Sequence, residues 1–438
     1  MTTVVKRDGT TESLNLDKVH KMVELACKDL AGVSESQVEM NANLQFFDGI
    51  STDDIQEILI RSANDLISLD APNYQFVAAR LLLFSLRKSV YDSHPDDHPT
   101  VYTQVQRGVD WGVYDKDLLN YYSEDEWNVL DGFIDHDRDY LFTYAGLRQV
   151  TDKYLVQDRS SGRIYETPQF MYMLIAATLF AQYPTETRIN YVRRYYDAIS
   201  RHKVNIPTPI MGGVRTPLRQ FASCVLVDVD DSLDSIFSSD MAIGKYVAQR
   251  AGIGINAGRI RGVNSKIRGG EVAHTGVVPF LKKFESTVRC CTQNGIRGGS
   301  ATVHFPIWHQ EIEDIIVLKN NKGTEDNRVR KLDYSIQLSK LFYERFIRNE
   351  DITLFSPHDV PGLYDAFGTD RFDDLYTSYE EDPRCPGRTV NAQELILNLL
   401  KERAETGRIY IMNIDHCNSH SSFKDKVNMS NLCQEITL

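Results

Sequence analysis

The sequence lacks a hydrophobic stretch long enough to cross a bilayer. Its most apolar run, FMYMLIAATLFA at 170–181, falls short of the roughly 20 residues that a spanning helix needs. Thr167 and Pro168 stand before it in N-cap and first-turn positions, which predicts a buried helix. The opening MTTVVKRDGTTESLN has no apolar core and does not read as a secretory leader. Positive charge is also scarce: Lys and Arg number 49 against 61 Asp and Glu, a formal net charge of -12. That excludes a general nucleic-acid binder, which needs a basic field, but leaves room for small phosphorylated ligands. The seven cysteines, at 27, 224, 290, 291, 385, 417 and 433, are odd in number and irregularly spaced. They form no disulfide framework and read as reduced thiols of a cytoplasmic protein, in which any redox cysteine would be catalytic. Internal repeats and low-complexity tracts are missing too.

What is present has a change of texture. Residues 4–14 alternate around Asp8-Gly9, which predicts a hairpin. Val19, Met22, Val23, Ala26 and Leu30 follow helical spacing. So do Ile55, Ile58, Leu59, Ser62 and Leu66 after Ser51 and Thr52, and PNYQFVAARLLLFSLRKSVY predicts a third helix. A compact helical module thus ends near residue 91, and the proline-bearing YDSHPDDHPT marks a boundary. Residues 100–220 read as mainly helical. After 204, short apolar runs appear beside glycine turns: SCVLVDV, GIGINAG, ITLFSP and RIYIMNI. Helices at 307–319 and 390–404 would lie between them, which points to a parallel α/β sheet or barrel.

Several segments carry chemistry only in context. Gly252-x-Gly254-x-x-Ala257, with Glu271 downstream, fits a relaxed dinucleotide fingerprint of a nicotinamide oxidoreductase. The fingerprint requires a strand first, however, and residues 241–249 look helical. CCTQNGIRGGSAT at 290–302 reads equally as an anion cradle with Arg297 or as a surface loop. Lys6, Arg7, Lys18 and Lys88 suit a triphosphate or plain solvated surface. His304, His309, Glu311 and Glu313 read as a solvated helix face, and Cys417 with His420 offers too few ligands, so no metal site is expected.

Asn431, Cys433 and Glu435 alternate in NMSNLCQEITL. In an extended chain they share a face, with Cys433 and Glu435 roughly 6.6 Å apart along the strand. A carboxylate charge at that distance costs a thiolate about 2 kcal/mol at an effective dielectric of about 20. A nucleophilic cysteine needs the opposite environment. Cys433 is therefore expected as a neutral S–H. That fits hydrogen-atom chemistry beside a separate carboxylate base, and equally a half-buried cysteine in a sheet.

Taken together, VVKRDGTTESLNLDKVH, PTPIMGGVRTPLRQFASCV, QRAGIGINAGRIRG, NGIRGGSAT, ITLFSPHDVPGLYDAF, TGRIYIMNIDHCN and SNLCQEI occur in order. The chain resembles, from residue 4 to 438, the large catalytic subunit of class I ribonucleotide reductase. The resemblance implies an ATP-cone over 1–91, a helical domain over 92–220 and, over 221–438, the first half of a ten-stranded α/β barrel ending at the radical-cysteine loop. It implies reduction of ribonucleoside diphosphates to deoxyribonucleotides. Cys433 would be the thiyl radical, Glu435 the base for the 3′-hydroxyl, and Asn431 a substrate hydrogen-bonding group. Cys224 would protonate the departing 2′-hydroxyl and then be oxidised. Thr208, Ser223 and Gly252 would line the diphosphate and ribose site. The ATP or dNTP specificity effector would lie near Asp231, Leu233, Arg261 and Ile267, with Gln293 and Arg297 on the relay loop, where Asn294 replaces a usual glycine.

The overall-activity nucleotide would use Lys6, Arg7, Glu12, Asn15, Lys18, Thr52 and Lys88. The resemblance also implies a metal-containing small subunit that supplies the radical, a thioredoxin- or glutaredoxin-type thiol reductant and a homodimer of the completed subunit. It implies no metal in this chain, no direct nucleic-acid partner and no membrane. The family continues well beyond NLCxEI, so a second polypeptide is expected to complete the barrel, and Asn431, Cys433 and Glu435 to be poorly ordered or displaced until it does. A regulator that kept the cone without catalysis is the competing reading, and it has no need of Cys224, Asn431, Cys433 and Glu435. Two histidines common in the cone site of bacterial relatives are replaced by Gln56 and Ser85. Inhibition by dATP is therefore predicted to be weak or lost. A dATP titration of the assembled enzyme checks this, and strong inhibition at physiological concentration contradicts it.

Overall fold

The computed structural model describes residues 2–91, 97–291 and 298–438. Their contacts divide into two units, one ending at Phe221 and one spanning Ala222–Leu438. Among the described residues no helix is long and apolar enough to cross a membrane.

The first unit begins with the expected hairpin. Strands Thr3–Val5 and Thr11–Ser13 pair antiparallel, closed by Lys6 N–H donating to Thr10 O at 2.8 Å. Gly9 takes φ +80° there, the left-handed conformation that glycine adopts without strain. Ile50–Ser51 adds a parallel strand on the other side of Thr3–Val5. Helix Leu16–Cys27 is capped by Asn15, and helix Thr52–Asp65 by Ser51. Both turn their apolar stripes inward, with Val19, Val23, Ile55 and Leu59 buried against helix Tyr74–Tyr91. Leu30 falls beyond the helix it was assigned to, which ends at Cys27. The apolar run forms helix Pro168–Phe180, buried from Pro168 through Ala177. Thr167 does not cap it through its side chain; its hydroxyl instead meets the Tyr91 hydroxyl at 3.1 Å.

Near that helix Glu166 and Arg215 form an ion pair with no solvent exposure. Arg215 Nε donates to Glu166 Oε2 at 2.8 Å, and Tyr114 O–H and Val156 N–H donate to the same carboxylate at 2.7 Å each. The guanidinium also donates to Met211 O and Tyr154 O. Every charge is matched, which is the condition under which burying such a pair is tolerated.

The second unit is built on five parallel strands, in the order Ile409–Asn413, Asp333–Leu338, Ala301–Pro306, Gly252–Asn256, Cys224–Asp228. The register puts Ile253, Ile255, Val303, Phe305, Tyr334 and Ile336 on one face. Helices Leu233–Ala248, Val278–Cys290 and Ala392–Thr406 cover that face through Ile243, Val247, Leu281, Phe284 and Leu399. The other face carries Gly252, Gly254, Asn256, Thr302, His304, Ser335 and Gln337, which are small or polar. A two-faced parallel strand departs from the usual continuous apolar run. That is why ATVHFP and DYSIQL escape a search for such runs. ITLFSP is not in this sheet: Asp351–Phe355 pairs antiparallel with Gly387–Asn391. The helix expected over 307–319 is confined to Ile312–Ile316.

Removing one partner of the Glu166–Arg215 pair leaves an unmatched buried charge. Arg215→Met is expected to cost about 3–5 kcal/mol in urea unfolding. A loss below about 1 kcal/mol, the level of a surface pair, contradicts this account.

Candidate active site

The loop after residue 427 lies on the polar face of the sheet because two residues beneath it have no side chain. A Cβ on Gly254 would sit 2.1 Å from Ser430 O and 3.0 Å from Asn431 Cα, and one on Gly252 would sit 2.7 Å from Leu432 Cδ2. Neighbouring strands hold the loop down. Thr302 Oγ1 donates to Leu432 O, and Gln337 Nε2 to Asn428 O, at 2.6 Å each. The GIGIN glycines are therefore strand residues that admit another backbone, not a phosphate loop between strand and helix. The dinucleotide reading of Gly252, Gly254 and Ala257 is corrected accordingly.

The loop also folds on itself. Ser430 bridges Thr437, Asn431 N–H donates to Ile436 O at 3.1 Å, and Ile436 N–H donates back to Asn431 Oδ1 at 3.0 Å. Gln434 takes φ +63° at the reversal. The expected common face of Asn431, Cys433 and Glu435 is thereby lost: Asn431 is fully buried, while Cys433 and Glu435 are exposed. Asn431, expected to be displaced, is instead seated on the sheet.

That seating makes the decisive contact. Asn431 Nδ2 lies 3.1 Å from Cys224 Sγ. Cys224 opens its strand opposite Gly252, and Gly252 N–H donates to Ser223 O at 2.8 Å. Cys433 lines a cavity of about 730 Å³ with Tyr410, Met412, Gln434 and Thr437. The Tyr410 hydroxyl is raised above its ordinary pKa by burial first and then by Cys433, with Asp333 and Glu435 adding. Both residues therefore stand within electrostatic reach of it. Upstream, Lys426 Nζ donates to Tyr364 O at 2.9 Å. Tyr364 O–H donates to Asn256 Oδ1, and Asn256 Nδ2 to Asp228 Oδ1, at 2.7 Å each. This chain ties the approach to the loop to the ends of the strands that carry Cys224 and Gly252. Tyr410, Thr302 and Lys426 were not singled out from the sequence, although alternation in RIYIMN places Tyr410 on a sheet face.

Residues 222–438 match the family model described as ribonucleotide reductase, barrel domain; 140–219 match its all-alpha domain, and 2–89 the ATP cone domain. The chain belongs to the ribonucleotide reductase family. It is 56% identical to the ribonucleoside-diphosphate reductase subunit alpha of Haemophilus influenzae, over 99% of this chain and 58% of the relative. The subunit alpha of ribonucleoside-diphosphate reductase 1 from Escherichia coli gives the same figures. That of enterobacteria phage T4 is 45% identical over 99% of this chain and 58% of its own length. The chain thus spans little more than half the length of these relatives.

In this reductase-family chain the regulatory candidates fall into two groups. Arg261 holds Asp231 twice, through its backbone N–H at 3.0 Å and Nε at 2.8 Å, and its Nη1 donates to Lys266 O beside Ile267. Leu233 is exposed in the first turn of its helix. Gln293 and Arg297 lie outside the described residues. In the first unit, Lys6 and Lys18 both contact Glu12, at 2.8 and 3.1 Å, and Arg7 pairs with Asp53 beside Thr52. Hydrogen bonding to Glu12 raises the Lys6 pKa, and the same bond lowers that of Glu12. Asn15 is committed as a helix cap, Lys88 is exposed, and Gln56 Nε2 donates to Leu81 O at 2.7 Å. Thr208 begins helix Thr208–Gly213, with its hydroxyl 3.5 Å from that of Tyr154.

The histidine and acid cluster is not a solvated helix face. His304 and His309 are fully buried, and burial pushes both down to about 4, which keeps them neutral. His304 sits in a sheet strand, and His309 Nε2 meets Ile260 O at 2.9 Å. Glu311 is buried as well, whereas Glu313 is partly exposed and pairs with Arg388. Among the described residues no group of three or more side chains could hold a metal ion.

Gly254→Ala tests the seating of the loop. It is expected to cost about 1–3 kcal/mol, the usual penalty of overpacking. Alkylation of Cys224 should quicken as Asn431 lifts away. Unchanged stability together with an unchanged alkylation rate contradicts the arrangement.

Proposed function

We propose that these residues form the N-terminal part of the catalytic subunit of a ribonucleoside-diphosphate reductase, which makes deoxyribonucleotide precursors for DNA synthesis. The observation that carries the reading is the 3.1 Å contact between Asn431 and Cys224, which brings together residues 207 positions apart. In this scheme the Cys433 thiyl radical takes the 3′ hydrogen of the substrate and becomes S–H. Glu435 accepts the 3′-hydroxyl proton, and Asn431 hydrogen-bonds the substrate. Cys224 protonates the 2′-hydroxyl, which leaves as water. A cysteine outside this sequence then gives its hydrogen to C2′ and closes a disulfide with Cys224. The electron released and the proton held by Glu435 return to the 3′-oxygen centre, and Cys433 gives its hydrogen back to C3′ and is again the thiyl radical. An external thioredoxin- or glutaredoxin-type thiol restores Cys224. The scheme needs Cys433 as a hydrogen-atom carrier and not as a thiolate.

Thr208, Ser223 and Gly252 line the substrate site in this reading. ATP or a dNTP binds at Asp231, Leu233, Arg261 and Ile267, relayed through Gln293 and Arg297. A second nucleotide binds the cone at Lys6, Arg7, Glu12, Asn15, Lys18, Thr52 and Lys88. The cone, the helical domain and the half-barrel are assigned to 1–91, 92–220 and 221–438. A metal-containing small subunit supplies the radical, and the completed subunit works as a cytoplasmic homodimer. Among the described residues the outer strands Cys224–Asp228 and Ile409–Asn413 each have one neighbour in the sheet. Such open edges support completion of the barrel by residues outside this sequence, and a second polypeptide is the proposed source.

The test is co-expression with a polypeptide carrying the rest of the barrel, followed by CDP reduction with ATP and the small subunit. Activity that falls to background in Cys433→Ala is expected. Full activity in that variant contradicts the mechanism. A monomeric 438-residue chain active with the small subunit alone contradicts the second polypeptide.

A further inference from the structure

The effector candidates sit on an excursion of chain whose two stems meet on one buried carboxylate. Val263 N–H donates to Glu311 Oε2 at 3.0 Å, and Val277 N–H donates to the same oxygen at 3.1 Å. Between the stems, Lys266–Ile267 pairs with Val272–Ala273, turned by Arg268, Gly269 and Gly270, all with positive φ. Gly276, at φ +88°, lies so close that a Cβ there would stand 2.5 Å from Glu311 Oε1. Arg261, which holds Asp231, directly precedes the first stem, and Ile267 lies in the ribbon. Ser356 Oγ gives further support by accepting from Gly262 N–H at 3.0 Å.

We propose that Glu311 is a positioning residue for the specificity effector, its carboxylate clamping both stems so that Arg261 and Ile267 face the nucleotide. This deepens, and rests on, the effector reading of Asp231, Arg261 and Ile267. Backbone N–H groups withdrawn from water need acceptors, and a carboxylate has lone pairs enough for several. A buried carboxylate is itself costly without donors. Its pKa shows the competition: it stands at about 7, raised by burial against the downward pull of the Val277 and Val263 N–H groups. The carboxylate and the stems therefore hold each other. Val277 N–H also meets Oε1 at 3.2 Å, so Glu311→Gln keeps one acceptor oxygen but loses the charge and sets an NH2 donor against that N–H, which weakens the clamp without changing the side chain's size.

Hydrogen exchange and calorimetry on the full chain test this, with dTTP as the probe nucleotide. Glu311→Gln is expected to lower protection of the Val263 and Val277 amides about tenfold while the Ile255 and Ile336 amides keep theirs. Binding of dTTP is expected to weaken about five- to tenfold. Glu311→Asp keeps the charge and is expected to recover part of both. Unchanged protection at the two stem amides overturns the proposal, as does an equal loss at all four in both variants. Unchanged dTTP affinity with opened stems overturns it too. A wild-type chain that binds no dTTP overturns the effector reading instead, a result distinct from failure of the clamp.

Discussion

No side chain fits between the strand Gly252–Asn256 and the loop that lies on it, and the arrangement of the second unit follows from that. With hydrogen at the Cβ positions of 252 and 254, the backbone of Ser430, Asn431 and Leu432 comes down onto the sheet. There it reaches the Thr302 hydroxyl and sets the Asn431 amide against Cys224. A glycine in a strand interior weakens the strand. Here the close approach offsets that loss with contacts from both neighbours. The opposite face of the same strand, Ile253 and Ile255, is wholly apolar and buried under helices. The strand is thus rigid on one side and open to another backbone on the other.

The two candidate sites handle charge in opposite ways. His304, on the sheet face that carries the loop, is kept neutral by burial, and so is His309 against Ile260 O. At the cone the groups are exposed and ionised, with Lys6, Lys18 and Arg7 already paired to Glu12 and Asp53. Exposed pairs of this kind add little stability.

Much of this was legible in the sequence, for identifiable reasons. The Asp8-Gly9 turn, the helix start at Ser51 and the apolar run at 170–181 are local signals, and local hydrogen bonds satisfy them. Cys224 and Asn431 were legible only as parts of long motifs, because no periodicity announces a contact spanning 207 positions. The sheet was half read. Strands with one polar face, Ala301–Pro306 and Asp333–Leu338, resemble ordinary alternating segments, whereas Asp351–Phe355 carries an apolar run and pairs elsewhere. The alternation of Asn431, Cys433 and Glu435 misled because a positive φ at Gln434 reverses the chain. Glu311 was read as surface because its partners are backbone groups at 263 and 277, which a side-chain pattern does not reveal.

The central claim is that Cys224 and Cys433 share one reaction with different roles, the first oxidised and the second returned. Thiol mapping after a single anaerobic turnover on CDP, without external reductant, tests it most directly. The account predicts that in the assembled enzyme Cys224 becomes resistant to alkylation while Cys433 still alkylates. A Cys224 that remains fully alkylatable after stoichiometric deoxycytidine diphosphate has formed would contradict it.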